Sequence, residues 1–317
     1  MTGIVDAALP FWGMADAPYR LIAARENQVF RVDHRGMPHA LRLHRPGYRS
    51  DAELRSELLW LAAAAEAALT VPAPIPAENG AHLVQIDGVQ IDMLSWCPGA
   101  PLAAPGEMIT VADPAAIYHQ LGTEMARLHR ISDAWTPPPE FSRAAWDRPG
   151  LVGACPLWGR FWDNPGLSAG DRRLFERFRK IADHALARLE GRADYGLIHA
   201  DLVPANVMAD GQRVALIDFD DGGFGYRVFE IATAMLPLRR RPDFGALSTA
   251  LIAGYQSQRA IDLSDLDLFL ALRAASYVGW NIARMTEAGG AARNQRFIAT
   301  ARDMIGDYLD HRRRGDG

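Results

Sequence analysis

Cysteine is scarce in this 317-residue chain: there are two, Cys97 and Cys155, and neither sits in a Cys-x-x-Cys pair or a Cys/His cluster. That excludes a disulfide framework and a cysteine-rich zinc site, and both thiols are expected to be reduced packing residues. Lysine is scarcer still. Of 34 basic residues Lys180 is the only lysine and the other 33 are arginine, so any step that commonly uses lysine must here use arginine. A positive surplus is also missing. The formal net charge is −4, which gives no general attraction to nucleic acid or anionic lipid. The basic clusters Arg172–Lys180, Arg239–Arg241 and Arg312–Arg314 do not restore one: Glu176 interrupts the first and Asp183 follows it, and no aromatic interleaving accompanies the others. Long apolar runs are absent too. The most apolar segment, Leu58–Leu69, contains Glu66 and falls short of the ~20 residues that span a bilayer. Near the N-terminus Asp6 stands where a secretory leader needs a cation, and Pro10 and Asp16 break the apolar stretch. A cytoplasmic protein with no nucleic-acid or membrane partner is expected. Finally, there is no G-x-G-x-x-G near residues 22–29 and no G-K-[ST] anywhere, so a P-loop NTPase is excluded.

What is present is an ordinary globular composition, 49% hydrophobic and 23% charged, with a length that fits two domains. The first hundred residues read as mostly strand. Val29–Asp33 follows the polar turn Arg25-Glu26-Asn27-Gln28, and His39–His44 alternates after a turn at Gly36. From Ser50 to Leu69 the period becomes helical, with Leu54, Leu58, Leu61 and Ala65 on one face. Strands are then predicted at Ala81–Ile86 and Val89–Leu94, joined by the hairpin signal Asp87-Gly88. Beyond Cys97 the breakers Pro98, Gly99, Pro101 and Pro105 mark a boundary between residues 1–97 and 98–317. Helical patterns follow at Asp113–Ile131, Leu174–Leu189, Leu263–Met285 and Phe297–Leu309.

Among them lies one β-like island, Leu197 to Phe219. In it His199, Asp201 and Asn206 form H-x-D-x4-N, and Ile217-Asp218-Phe219-Asp220 follows, Asp218 standing twelve residues after Asn206. Short apolar flanks would hold two polar loops. Phosphoryl transfer needs such loops: one carboxylate facing the attacking hydroxyl, and an amide oxygen and a second carboxylate holding Mg2+ on the nucleotide phosphates. Asp201 fits the first role, Asn206 and Asp218 the others. The H-x-D-x4-N spacing is weak alone. The nearby I-D-F-D inside alternating flanks makes the combination specific.

At these residues the chain resembles the aminoglycoside phosphotransferase superfamily of kinase-like small-molecule kinases, nearest to type II homoserine kinases and bacterial stress-response kinases. The likeness extends to Trp12-Gly13, Arg25-Glu26-Asn27, LRLHRPGYRS at 41–50, SELLWL at 56–61, the WCPGAPL connection, MARLH at 125–129 and PLWGRFW at 156–162. It implies an α+β, protein-kinase-like bilobal fold, with a small, mainly antiparallel β N-lobe carrying one helix and a larger, mainly helical C-lobe. ATP and Mg2+ would sit in the cleft. Asp201 would be the catalytic base, Asn206 and Asp218 metal ligands, and His199 a brace for the loop.

Several positions depart from the protein-kinase pattern. The phosphate-gripping lysine of the third strand corresponds to Arg42, with Glu57 as partner and Glu53 as fallback; arginine keeps the charge but changes the geometry. Without a glycine motif, Asn27 would cover the phosphates, or simply be a turn residue. Val203 stands two residues after the base, where serine/threonine protein kinases carry lysine, which favours a small-molecule acceptor. Glu230 replaces the usual aspartate of a D-x-A pattern and would anchor the loop. Ser95, Trp96 and Cys97 should face adenine, with Trp96 alternatively in the core. Asp220 and Asp221 would assist a second metal or meet the acceptor, or form a solvated turn. Arg273, Tyr277, Trp280, Asn281 and Arg284 recur at helical spacing, either as a packed aromatic face or as an acceptor wall. As a wall, its arginines suit an anionic group. The expected function is ATP- and Mg2+-dependent transfer of the γ-phosphoryl group to a hydroxyl of an amino-acid-like, amino-alcohol or aminoglycoside-type molecule, by a monomer or homodimer. The alternatives are a stress-response serine/threonine protein kinase and a nucleotide-binding pseudokinase scaffold.

Overall fold

Alternating apolar residues in the first hundred positions build a five-stranded antiparallel sheet in the computed structural model, which describes residues 2–24, 27–104 and 111–315. Arg25 and Glu26 of the expected turn and Pro105 of the expected connection lie outside the described residues, as does the side chain of Arg314. Along the chain, helix α1 (Thr2–Ala8) precedes β1 (Tyr19–Ala24), β2 (Gln28–His34), β3 (Met37–Leu43), α2 (Asp51–Glu66), β4 (Val84–Ile86), β5 (Val89–Ser95) and β6 (Ala100–Pro101). Then follow α3 (Pro114–Ala134), β7 (Ala145–Trp146), α4 (Arg148–Val152), α5 (Ala169–Leu189), β8 (Tyr195–Ile198), β9 (Val207–Asp210) and β10 (Arg213–Leu216). The chain closes with β11 (Gly223–Tyr226), α6 (Arg227–Met235), α7 (Phe244–Gln256), α8 (Leu266–Trp280) and α9 (Gly290–Gly315).

The chain forms two compact units. The first takes Met1–Ala112, Arg130–Arg143 and Ala205–Asp220; the second takes Asp113–His129, Ala144–Pro204 and Asp221–Gly317. In the first, the sheet order is β1-β2-β3-β5-β4. Registers Phe30↔Leu41 and Leu41↔Met93 put these side chains on one face, where they form a core with Val5, Leu9 and Trp12. Both expected hairpin turns have two consecutive left-handed residues, Arg35-Gly36 (φ 50° and 78°) and Asp87-Gly88 (φ 50° and 79°), the conformation of a two-residue turn between twisted strands. Helix α2 starts just after Ser50, where the sequence turns to a helical period. The Ser50 hydroxyl accepts from the Glu53 amide at 3.3 Å, and Glu53 Oε2 accepts from the Ser50 amide at 2.9 Å, a reciprocal cap worth about 1 kcal/mol. A smaller antiparallel sheet, β10-β9-β6, completes this unit. Gly99 (φ +91°) makes it possible: a Cβ there would lie 2.1 Å from the Ala209 carbonyl oxygen.

The second unit is mainly helical around the short sheet β7-β11-β8. Helix α8 is almost wholly buried from Leu268 to Gly279. It ends at Trp280, earlier than the expected 285. Every residue of α6 is buried. Among the described residues no helix is long and apolar enough to cross a membrane.

Candidate active site

Strands β9 and β10 pair antiparallel with Val207 opposite Leu216, and the Ile217 amide donates to the Asn206 carbonyl oxygen at 3.0 Å. Asn206 and Asp218 therefore flank the same end of one hairpin in the first unit. Asp218 adopts a left-handed backbone (φ 67°), a conformation aspartate tolerates better than most residues. The segment after it is fastened to α2. Phe219 is buried and meets Trp60 edge-on at 5.1 Å, while Arg49 Nε reaches Asp220 Oδ1 at 3.4 Å. Arg143 Nη2 donates to the carbonyl oxygens of Phe219 (2.8 Å) and Asp220 (2.6 Å), and its Nη1 donates to the Glu53 carbonyl oxygen at 3.1 Å and lies 3.5 Å from Glu57 Oε2. Asp220 is thus a buried ion-paired residue and not a solvated turn.

Arg42, on β3, is the centre of a buried charge cluster in the same unit. Its Nε and Nη2 donate to Asp92 Oδ1 (2.8 Å) and Oδ2 (2.9 Å), and its Nη1 donates to Glu57 Oε1 at 2.7 Å. His44 Nε2 meets Asp92 Oδ2 at 2.6 Å. The expected partner Glu57 is therefore found, and the fallback Glu53 is used in the α2 cap. Burial opposes every charge here, yet the partners prevail: Asp92 and Glu57 are held below the usual carboxylate range, and Arg42 well above its ordinary value. Asp92 escapes sequence reasoning, although its signal exists: it is a lone acid inside the apolar run of β5, in register with Arg42. Arg143 carries no periodic signal at all.

Of the expected adenine-facing residues, Ser95 is tied to Ala73: its amide donates to the Ala73 carbonyl oxygen and its hydroxyl accepts from the Ala73 amide, both at 2.8 Å. Arg31 stacks over Trp96 at 5.2 Å, so Trp96 is half-exposed and not core. Cys97 packs with Met208, Ala215 and Ile217, and burial pushes its thiol up to about 12. Asn27 lies in the β1–β2 connection, next to the paired ends Ala24 and Gln28.

In the second unit, Asp201 follows a left-handed alanine, Ala200 (φ 64°), a conformation that costs a non-glycine residue about 1–2 kcal/mol. Glu230 holds it there. Its Oε2 accepts from the Ala200 amide at 2.7 Å, and its Oε1 meets His129 Nε2 at 3.2 Å. Burial raises Glu230 to about 7, against the opposing pull of the Ala200 amide and Arg227. Burial likewise pushes His129 well below its ordinary value, helped by Arg227 and Arg259, so His129 is neutral; its Nδ1 meets the Tyr255 hydroxyl at 2.8 Å. His199 is fully buried, and its Nδ1 accepts from the Asp201 amide at 3.3 Å, which makes it a brace for the loop.

The acceptor-wall residues divide. Arg273 turns onto Asp201, Nη2 to Oδ1 at 2.5 Å, and is fully buried. Asn281 packs into α9, donating to the Gly290 carbonyl oxygen (3.1 Å) and Asn294 (3.2 Å). Tyr277 and Trp280 remain half-buried and join Trp158 and Phe297 in one aromatic group. Arg284 stacks over Trp280 at 4.1 Å. Asp221 accepts from Trp158 Nε1 at 3.3 Å through Oδ1, and from Trp146 Nε1 at 2.8 Å through its carbonyl oxygen.

Residues 19–269 match the phosphotransferase enzyme family, also called APH. The chain belongs to this family and is a kinase that acts on a hydroxyl group of a small molecule. A homoserine kinase of Acidiphilium cryptum is 29% identical over 243 residues, which is 73% of this chain and 70% of that protein. Among solved structures, the microcompartment-associated aminopropanol kinase superposes with a TM-score of 0.84 at 29% identity, covering 98% of each chain. An amicoumacin kinase solved in complex with AMP-PNP, Ca2+ and Ami gives 0.77 at 18% identity, covering 95% of this chain and 93% of that one. The expected protein-kinase-like α+β fold is therefore the fold of the chain.

Proposed function

We propose that the protein moves the γ-phosphoryl group of ATP to the hydroxyl of a small, amine-bearing alcohol, with Asp201 as base. The acceptor oxygen bonds to the γ-phosphorus as the bond from that phosphorus to the ADP oxygen breaks, and the hydroxyl proton passes to Asp201. The observation that carries this reading is the β9–β10 hairpin, which sets Asn206 and Asp218 at one end, Asn206 following Asp201 by five residues in the sequence. Amide and carboxylate oxygens are the hard donors that Mg2+ takes together with phosphate oxygens, so the donor set fits that ion. When bound, Mg2+ neutralises charge on the phosphates. Arg42 braces β3 against α2 through Glu57 and against β5 through Asp92, and the Phe219–Asp220 carbonyls bound by Arg143 fix the approach to Asp218. The apolar group Cys97, Met208, Ala215 and Ile217 suits an adenine face, beside the Ser95–Cys97 backbone.

For the acceptor, the arginines no longer argue for an anion. Arg273 is spent on Asp201 and Arg284 on the face of Trp280. The Asp221 carboxylate, beside Trp158, instead suits an ammonium group, as homoserine and aminopropanol both carry.

The test is ADP release by the purified full chain with Mg-ATP against 1-amino-2-propanol, L-homoserine, choline, spectinomycin and casein, with a one-phosphate mass gain in the product. Transfer to an amino alcohol or hydroxy amino acid is expected. Transfer to casein alone selects a protein kinase, and nucleotide binding without transfer to any of them selects a scaffold; either result overturns the proposal.

A further inference from the structure

A guanidinium at the centre of an apolar helix needs a reason, because removing a charge from water is costly unless it is paired. Arg273 is fully buried, and its neighbours on α8 include Leu270, Leu272, Ala274 and Ala275, all buried. Nη2 donates to Asp201 Oδ1 at 2.5 Å and to the Tyr277 hydroxyl at 3.0 Å. The guanidinium carbon lies 4.3 Å from the ring centre of Trp158, 4.4 Å from that of Tyr277 and 5.6 Å from that of Phe229. Nε and Nη1 have no hydrogen-bond partner among the described residues, so aromatic faces accompany the remaining charge. Packing alone does not call for this residue, since a methionine would fill similar space without the cost of burying charge.

Resting on the reading of Asp201 as the base, we infer that Arg273 is its positioning residue: it clamps one carboxylate oxygen from the side and keeps the group ionised. Three holds then converge on the loop: Glu230 on the Ala200 amide, His199 on the Asp201 amide, and Arg273 on the Asp201 carboxylate. Titratable groups of this unit close by include His199, whose Nδ1 accepts from the Asp201 amide, Tyr277, raised by burial to about 12, and Asp221, which acts on Tyr277 as Asp201 does. Neither Tyr277 nor Asp221 carries positive charge; Arg273 is a cation in contact with Asp201. Pairing with a cation makes a carboxylate a weaker base. Phosphoryl transfer through a loose transition state tolerates that loss, because orientation contributes more than basicity. Arg273 therefore sets turnover, not nucleotide affinity.

The experiment compares Arg273→Gln, Arg273→Lys and Tyr277→Phe in the full chain, using whichever of 1-amino-2-propanol or L-homoserine the wild type phosphorylates. Arg273→Gln is expected to lower kcat about 100-fold with the KM for ATP within roughly threefold. The acidic limb of kcat/KM should rise by about one pH unit, because the lost cation no longer favours the anion. Arg273→Lys, which keeps the charge and loses the fork, should hold the acidic limb near its wild-type place while kcat falls. Tyr277→Phe keeps the stacked ring and should lower kcat a few-fold with the limb unmoved. Independently of turnover, the 13C carboxyl resonance of Asp201, assigned by Asp201→Asn, should titrate at higher pH in Arg273→Gln. A folded Arg273→Gln protein with unchanged limb and unchanged Asp201 titration overturns the proposal. Should that variant not fold, an Arg273→Lys enzyme with wild-type kcat and KM overturns it. Absence of wild-type turnover with either acceptor counts against the functional reading, while the carboxyl titration still decides the pairing.

Discussion

Two buried arginines, one in each unit, show how differently the same side chain is used. Arg42 is enclosed by acid: Asp92 grips it with both oxygens, Glu57 takes a third bond, and His44 and Arg143 close the cluster from outside. Arg273 has one carboxylate, one phenol and the faces of aromatic rings. The first guanidinium is over-satisfied and acts as a rivet between β3, β5 and α2. The second is satisfied mainly by the residue proposed to do the chemistry, so a change at either end is felt at the other. A buried arginine is thus not a role in itself; the number and kind of its partners decide whether it is a fastener or a control.

The largest expected effect tests the second arginine's partner. Asp201→Asn should reduce transfer about 1,000-fold while nucleotide affinity measured by calorimetry stays nearly unchanged; an equal loss of nucleotide binding would mean that Asp201 belongs to the nucleotide site. Next comes the rivet. Arg42→Met leaves Asp92 and Glu57 buried without their main cation and should cost about 3–5 kcal/mol in urea unfolding, whereas Arg42→Lys keeps a charge and should cost less than half of that. Equal losses would show that charge, not the forked geometry, holds the cluster.

A third effect separates two buried acids by pH. Glu230 is raised from 4.5 to about 7 by burial, so its contribution to stability is complete below pH 4.5 and is lost as pH rises through 7. By linkage the loss approaches about 3 kcal/mol. Asp92 is lowered by Arg42 and His44 despite burial, so its contribution is present above its ordinary value and lost in strong acid. Stability of the wild type minus that of Glu230→Gln, followed between pH 4.5 and 8, should fall with rising pH. A flat difference would mean that Glu230 does not titrate there. The smallest effect is at Ala200: with φ at 64°, Ala200→Gly should relieve backbone strain and raise stability by about 0.5 kcal/mol, seen as a small upward shift in Tm.

Local rules carried far in this chain. The helical period from Ser50 announced α2, Asp87-Gly88 announced its hairpin, and alternation in β2 and β3 announced the sheet. They failed where one environment runs the length of an element. Strand β1 is exposed along nearly all its length, so it shows no period of two. Residue identity also outran geometry at α8. Helical spacing put Arg273, Tyr277, Trp280 and Asn281 on one wall, but the helix stops at Trp280, Asn281 serves α9, and Arg273 turns inward. Asp92 and Arg143 were out of reach for another reason: their partners lie 48 or more residues away, and only strand register and chain crossing bring them together.

Because the third-strand position is a guanidinium and Lys180 is the one lysine side chain, nucleotide probes that tag kinases by acylating an active-site amine would find nothing to acylate at Arg42. A survey built on such reagents would pass over this enzyme even at full activity.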